Sequence, residues 1–159
     1  LVQRVQAQGE RVIVDTSGAA LRAAFASRPW AVKVNAHELS ELLGCTIKGV
    51  EEAAVALKEL RRCVQLAVVT LGAQGALAAS DEGCWWACPP AIDLVSSVGS
   101  GDSLLAGLCC GLLRGQALAE ALRLGVACGS ANALTIGGGL IELATVERLA
   151  AETRVVSLS

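Results

Sequence analysis

Val98-Gly99-Ser100-Gly101-Asp102-Ser103 leads straight into Leu104-Leu105-Ala106-Gly107-Leu108-Cys109-Cys110-Gly111-Leu112-Leu113. Two glycines permit a tight turn, and the apolar run behind them predicts a buried helix over residues 102–114. Unhindered amides at a helix start, together with the helix dipole, form a hole for an anion. Asp102 stands where such an anion would sit, so its carboxylate either caps the helix or acts on a substrate. Taken alone, the stretch is accounted for by an N-cap with glycines in a turn.

The flanking sequence repeats the alternation of short apolar strands and helices. Strands are expected at residues 11–14, 30–34 and 66–71, and a hairpin at 75–80 and 84–88 around Asp81-Glu82-Gly83. Helices are expected at 2–8, 18–27, 36–43, 50–62, 118–134 and 146–152, the fourth with acidic residues first and basic residues last. The wholly apolar strand 66–71 implies a largely parallel sheet covered on both faces, an α/β fold.

Composition narrows the function. The chain has 159 residues, 53% hydrophobic and 18% charged, with a formal net charge of −2. That is enough for one domain with a sizeable core and argues against disorder. Without a basic cluster longer than Arg61-Arg62, no nucleic-acid partner is expected. Mean hydropathy is high at +0.55. The uncharged run 124–141 nevertheless holds five glycines with Ser130, Asn132 and Thr135, unlike a lipid-facing span, so no membrane partner is expected. Seven cysteines without paired C-x₂-C spacing, and His37 as the single histidine, fit buried free thiols in a reducing cytoplasm better than zinc. The chain contains no Met and begins at Leu1, so a piece of something longer is expected.

Three further stretches carry polar chemistry. Thr70-Leu71-Gly72-Ala73-Gln74-Gly75 follows a buried strand, where open α/β sheets bind ligands; a simple hairpin turn reads equally well. In Lys33-Val34-Asn35-Ala36-His37-Glu38, Asn35 and Glu38 share a face near a helix start. An amide and a carboxylate there can hold a hydrated Mg²⁺, or they can form a capping box. Asp15 ends the first strand. No P-loop, nucleophile elbow or dinucleotide fingerprint is present, which removes those enzyme classes.

In order, these motifs resemble the PfkB, or ribokinase-like, family of carbohydrate kinases. Residues 98–107 match V-G-A/S-G-D-S-x-x-A-G, and Asp15-Thr16-Ser17-Gly18, Asn35-x-x-Glu38 and Thr70-Leu71-Gly72-x-x-Gly75-Ala76-Leu77 match other family patterns. The resemblance is greatest to the phosphosugar branch, 1-phosphofructokinase and tagatose-6-phosphate kinase. It implies ATP-dependent phosphoryl transfer to a hydroxyl of a sugar phosphate of the fructose 1-phosphate or tagatose 6-phosphate class. Asp102 would be the general base, with the amides of Gly99, Ser100, Gly101 and Asp102 as the anion hole. Lys33 would meet the ATP phosphates, and Asn35, Glu38 and Asp15 would hold Mg²⁺. Asn35, Thr70, Gly72 and Gly75 would line the nucleotide, and Val126 and Ser130 would wall the adenine. Some members bind a monovalent cation such as K⁺, here expected around Ser96, Val98 and residues 132–139. Val34 replaces the proline usual between Lys33 and Asn35.

Family members run about twice this length. The resemblance therefore predicts the C-terminal, nucleotide-binding and catalytic-base part of a three-layer α/β/α sandwich across residues 1–159, without the N-terminal strands and lid. A homodimer, or association with a missing N-terminal half, is the expected assembly. The alternative is a non-catalytic nucleotide-binding or inert fragment lacking the sugar-binding half.

Overall fold

A computed structural model describes residues 1–158. The chain divides into two compact units, Leu1–Leu71 with Leu77–Cys84, and Gly72–Ala76 with the chain from Trp85 onward. In the first unit, helix α1 (Val2–Gln6) precedes β1 (Ile13–Asp15), α2 (Gly18–Ala26), β2 (Ala31–Asn35), α3 (Ala36–Leu43), α4 (Val50–Leu60) and β3 (Leu66–Thr70). Strands β1, β2 and β3 are parallel, with Asp15 beside Lys33 and Asn35 beside Thr70. The first four residues of both β2 and β3 are buried, as a strand covered on two faces requires. Leu21, Leu39, Leu57 and Leu60 of the helices are buried with them. Strand β4 (Ala76–Ser80) and the start of β5 (Gly83–Cys88) follow, joined through Asp81-Glu82.

In the second unit the remainder of β5 pairs antiparallel with β6 (Arg154–Ser157), Trp85 opposite Ser157 and Cys88 opposite Arg154. Helices α5 (Ser100–Leu113), α6 (Leu118–Ala133) and α7 (Leu143–Glu152) make its core, with Leu108, Leu118, Leu122 and Leu149 almost completely buried. Glycines let α5 and α6 meet backbone to backbone. A Cβ on Gly125 would lie 2.8 Å from the Leu104 carbonyl oxygen, and one on Gly129 2.9 Å from that of Ser100. On α5, a Cβ on Gly111 would lie 2.7 Å from the Ala121 Cα, and one on Gly107 2.8 Å from the Cys128 sulfur. Each helix thus carries two glycines four residues apart on one face.

Two expectations are corrected. The predicted portion lacking its N-terminal strands is corrected: six strands, β1 to β6, are formed among the described residues, with β1, β2 and β3 in one parallel ladder and β5 and β6 in an antiparallel one. Strands are set by such ladders, and a comparison of lengths does not report on them. Helix α5 begins at Ser100, two residues before the predicted start, because Gly99 takes up the left-handed conformation (φ 78°) and becomes the N-cap.

Of the exposed large apolar side chains, Val98, Ile136, Leu140 and Leu143 lie in loops and at helix ends, and Val55 lies on the outer side of α4. All seven cysteines are free, but Cys128 alone is buried and Cys45 is exposed. Burial raises the thiol pKa of Cys84, Cys109 and Cys128, opposed at Cys84 by Lys58 and reinforced at Cys128 by Cys110. No helix among the described residues is long and apolar enough to cross a membrane.

The glycine contact yields a test with an unusual sign. On an exposed helix Gly→Ala stabilises by about 1 kcal/mol. Gly125→Ala must instead displace a backbone carbonyl, and is expected to lower unfolding free energy by about 1–3 kcal/mol in urea titration.

Candidate functional site

Polar groups in the first unit gather at the C-terminal ends of its parallel strands. Lys33 is 7% exposed, and its Nζ donates to Asp15 Oδ2 at 2.7 Å. That ion pair spans neighbouring strands, since Asp15 and Lys33 are register partners. One contact leaves the ammonium with further donor capacity and leaves Asp15 Oδ1 available.

Two residues along β2, Asn35 ends the strand and caps α3. Its Oδ1 accepts from the Glu38 amide at 2.9 Å, and the Asn35 amide donates to Glu38 Oε2 at 2.8 Å. This is a full capping box. It occupies one oxygen of each side chain and leaves Glu38 Oε1 unengaged. His37 projects outward beside Glu41, at 3.5 Å, and takes no part in the cluster.

Among the described residues no group of three or more His, Cys, Asp or Glu side chains is placed to hold a metal ion. The unengaged carboxylate oxygens of Asp15 and Glu38 are hard donors. They fit a Mg²⁺ that keeps its waters and takes its other ligands from phosphates, and they do not fit an all-protein cage. A separate cleft of about 640 Å³ opens at the opposite strand ends, lined among others by Arg11, Arg28, Trp30 and Arg61.

In the second unit, residues 72–74 form one 3₁₀ turn. Gly72 (φ 57°) has open space where a side chain would stand. Gly75 does not: a Cβ there would sit 2.0 Å from the Ala87 carbonyl oxygen. Its missing side chain accommodates the protein's own backbone. The Trp86 indole closes this turn, Nε1 donating to the Gln74 carbonyl at 2.8 Å.

The turn before α5 is the most distinctive feature of the second unit. The Ser103 amide donates to the Gly99 carbonyl at 2.9 Å, which starts the helix ladder. The Ser100 amide is turned back to the Ser97 carbonyl at 3.2 Å. The amides of Gly99, Gly101 and Asp102 have no such partner, as the first turn of a helix leaves them. Three of the four expected amides are therefore unengaged. Asp102 is exposed, third in the helix, and its side chain caps nothing. A carboxylate there is favoured by the dipole while keeping both oxygens available.

Val126 and Ser130 lie within α6, 2% and 8% exposed. One residue that the sequence placed only in the expected cation segment stands beside them. Asn132 is fully buried and donates through Nδ2 to the Val98 carbonyl (2.8 Å) and to Ser100 Oγ (3.1 Å). Its Oδ1 accepts from the Gly139 amide at 2.7 Å. The signal was available, because an amide inside an apolar helix must find partners. Val98 O, expected among the cation ligands, is engaged by this amide.

The sequence profile of the pfkB family of carbohydrate kinases matches residues 2–144. A 1-phosphofructokinase of Bacillus subtilis is 38% identical over 159 residues, covering 99% of this chain and 52% of that protein. The ATP-dependent 6-phosphofructokinase isozyme 2 of Escherichia coli is 39% identical over 140 residues, covering 86% and 45% respectively. Among solved structures, phosphofructokinase-2 from Escherichia coli in complex with potassium superposes with a TM-score of 0.88 at 36% identity. That match covers 94% of this chain and 50% of the other. The chain belongs to the pfkB family of carbohydrate kinases and spans about half the length of the curated relatives it matches. The expectation that the resemblance amounts to a C-terminal half is corrected by the matched span, which runs through nearly the whole chain.

The Lys33–Asp15 pair can be tested by asymmetry, because losing Asp15 strands a nearly buried ammonium whereas losing Lys33 to an apolar side chain of similar shape strands a carboxylate that water still reaches. Breaking a fully buried pair costs about 3–5 kcal/mol. With Asp15 still 24% exposed, Asp15→Ala is expected to cost about 2–3 kcal/mol. Lys33→Met is expected to stay within about 1 kcal/mol in the same urea titration.

Proposed function

From membership of the pfkB family, we propose that this chain serves ATP-dependent phosphoryl transfer to a hydroxyl of a phosphorylated ketohexose. Fructose 1-phosphate is the leading acceptor and tagatose 6-phosphate the second. The observation that carries the reading is the turn before α5, with an aspartate at its third helical position and unengaged amides around it. The names of the two curated relatives, a 1-phosphofructokinase and a 6-phosphofructokinase, support a phosphosugar acceptor.

In this reading Asp102 accepts the proton of the acceptor hydroxyl as its oxygen attacks the γ-phosphorus. The new O–P bond forms while the bond to the leaving ADP oxygen breaks, and the proton ends on the carboxylate. A carboxylate acts here as the hydroxyl becomes acidic during attack, which is when transfer becomes favourable. The amides of Gly99, Gly101 and Asp102 stabilise charge spreading over the transferring group. Ser100 contributes its hydroxyl, held by Asn132, more than its committed amide.

Lys33 supplies positive charge to the nucleotide phosphates, held ready by Asp15. Thr70 and Gly72 border the nucleotide, and Gly75 shapes that turn by packing. Val126 and Ser130 support the adenine side. Mg²⁺ bound with the nucleotide would neutralise phosphate charge, with Glu38, Asp15 and the water-linked Asn35 as its holders on this chain. A non-catalytic nucleotide-binding role is the second reading, favoured by the chain spanning about half of its relatives' length.

Titration with ATP and Mg²⁺, followed by a coupled assay with fructose 1-phosphate, separates the two. Saturable ATP binding with turnover supports the kinase reading, and binding without turnover supports the second. Where turnover is found, Asp102→Asn is expected to lower kcat at least about 100-fold with the KM for ATP nearly unchanged. A loss under about tenfold, or 1.4 kcal/mol, removes Asp102 as the base.

A further inference from the structure

We infer that Asn132 is a positioning residue that sets the shape of the 99–102 turn and ties it to the loop at 137–139. Its kinetic consequence rests on the phosphoryl-transfer reading. Asn132 is one of two asparagines in the chain and is 0% exposed in α6. Its three partners sit on segments outside any strand ladder or helix interior: the Val98 carbonyl, the Ser100 hydroxyl at the helix edge and the Gly139 amide. The amide orientation follows from those partners. A carbonyl can only accept and an N–H can only donate, so Nδ2 must face Val98 and Oδ1 must face Gly139.

The two segments also touch directly. A Cβ on Gly99 would lie 2.8 Å from the Gly138 Cα, so the turn and the loop pack glycine against glycine above the Asn132 amide. Gly99 holds φ 78°, the left-handed conformation from which α5 starts. Fixing Val98 O on one side of Gly99 and Ser100 Oγ on the other limits the rotation that would collapse the turn. Because one amide serves both segments, whatever orders the turn also orders the loop, and the coupling is reciprocal.

Amide hydrogen exchange on the full chain tests this with inorganic tripolyphosphate as the probe. In Asn132→Ala, exchange at Gly139 is expected to speed at least about tenfold, while amides at the opposite end of α6 stay protected. In the unaltered chain, tripolyphosphate is expected to slow exchange at Gly101, Asp102 and Gly139 together. In Asn132→Ala the slowing no longer reaches Gly139. Asn132→Asp keeps the shape and the acceptor for Gly139 but loses the donors, so it should loosen the 99–102 turn while Gly139 stays protected. It also carries the test if the alanine variant fails to fold.

Unchanged exchange at Gly139 in Asn132→Ala, or equal acceleration all along α6, overturns the inference. So does an unaltered turn in Asn132→Asp. If tripolyphosphate leaves the turn of the unaltered chain unaffected, the anion-hole reading fails. The probe-free exchange at Gly139 and in the turn still decides the role of Asn132. In the kinase assay, Asn132→Ala is expected to lower kcat at least about tenfold with the sugar KM within about twofold, a split that general destabilisation does not give.

Discussion

The second unit depends on how closely two helices can approach. With side chains at Gly107, Gly111, Gly125 and Gly129, α5 and α6 would have to separate, since each added Cβ would fall under 3.0 Å from an atom of the other helix or its neighbours. Overpacking of this kind is relieved only by moving backbone. The contact also reaches the turn. Gly129 lies against the Ser100 carbonyl, so the helix start is seated directly on α6. The glycines sacrifice helix propensity, about 1 kcal/mol each, and the return is a helix start whose height is fixed by contact.

Each unit contains one buried polar arrangement, and the two differ in kind. Lys33 and Asp15 form an ion pair in which a nearly buried ammonium depends on a partly exposed carboxylate. Such a pair stabilises little in net terms but makes loss of the carboxylate costly, because the ammonium left behind is the more buried of the two. It also leaves a positive charge oriented and available for an anionic ligand. Asn132 is neutral, so its burial costs far less, and a neutral amide can serve a donor and two acceptors at once. A charged side chain there would stand beside unengaged amides and bias the turn electrostatically. The amide fixes geometry without adding charge.

Most of the fold was legible because the period of burial is written into the residues. The run 66–71 reads as a strand covered on both faces, and Leu66–Thr70 forms it; 36–43 reads as a helix closed by Gly44, which takes the left-handed conformation. Strand β6 was not legible: Arg154-Val155-Val156-Ser157 is too short to show a period and is defined only by its pairing with β5. The start of α5 was misplaced because a left-handed glycine used as an N-cap leaves no mark in an apolar pattern. Asn35 and Glu38 were read as either a capping box or magnesium holders, and the capping box is formed with one carboxylate oxygen to spare. Gly75 illustrates a different limit. The sequence sets it beside the nucleotide by resemblance, and does not show that the space a side chain would need there is filled by the Ala87 carbonyl, contributed by a strand twelve residues away.

That displaced helix start bears on the chemistry. Had Asp102 been the N-cap, its carboxylate would accept hydrogen bonds from the helix amides, as capping aspartates do. Its oxygens would then be committed, and the amides would be filled by the protein itself. With Gly99 as the N-cap, a residue without a side chain ends the turn. The amides of Gly101 and Asp102 stay unengaged, and the side chain of the exposed Asp102 caps nothing. In the proposed function, a base and an anion hole adjoin at one helix start, which requires that neither satisfies the other. The left-handed glycine is what keeps them apart, and the close seat of Gly99 on Gly138 explains why no larger residue could do the same.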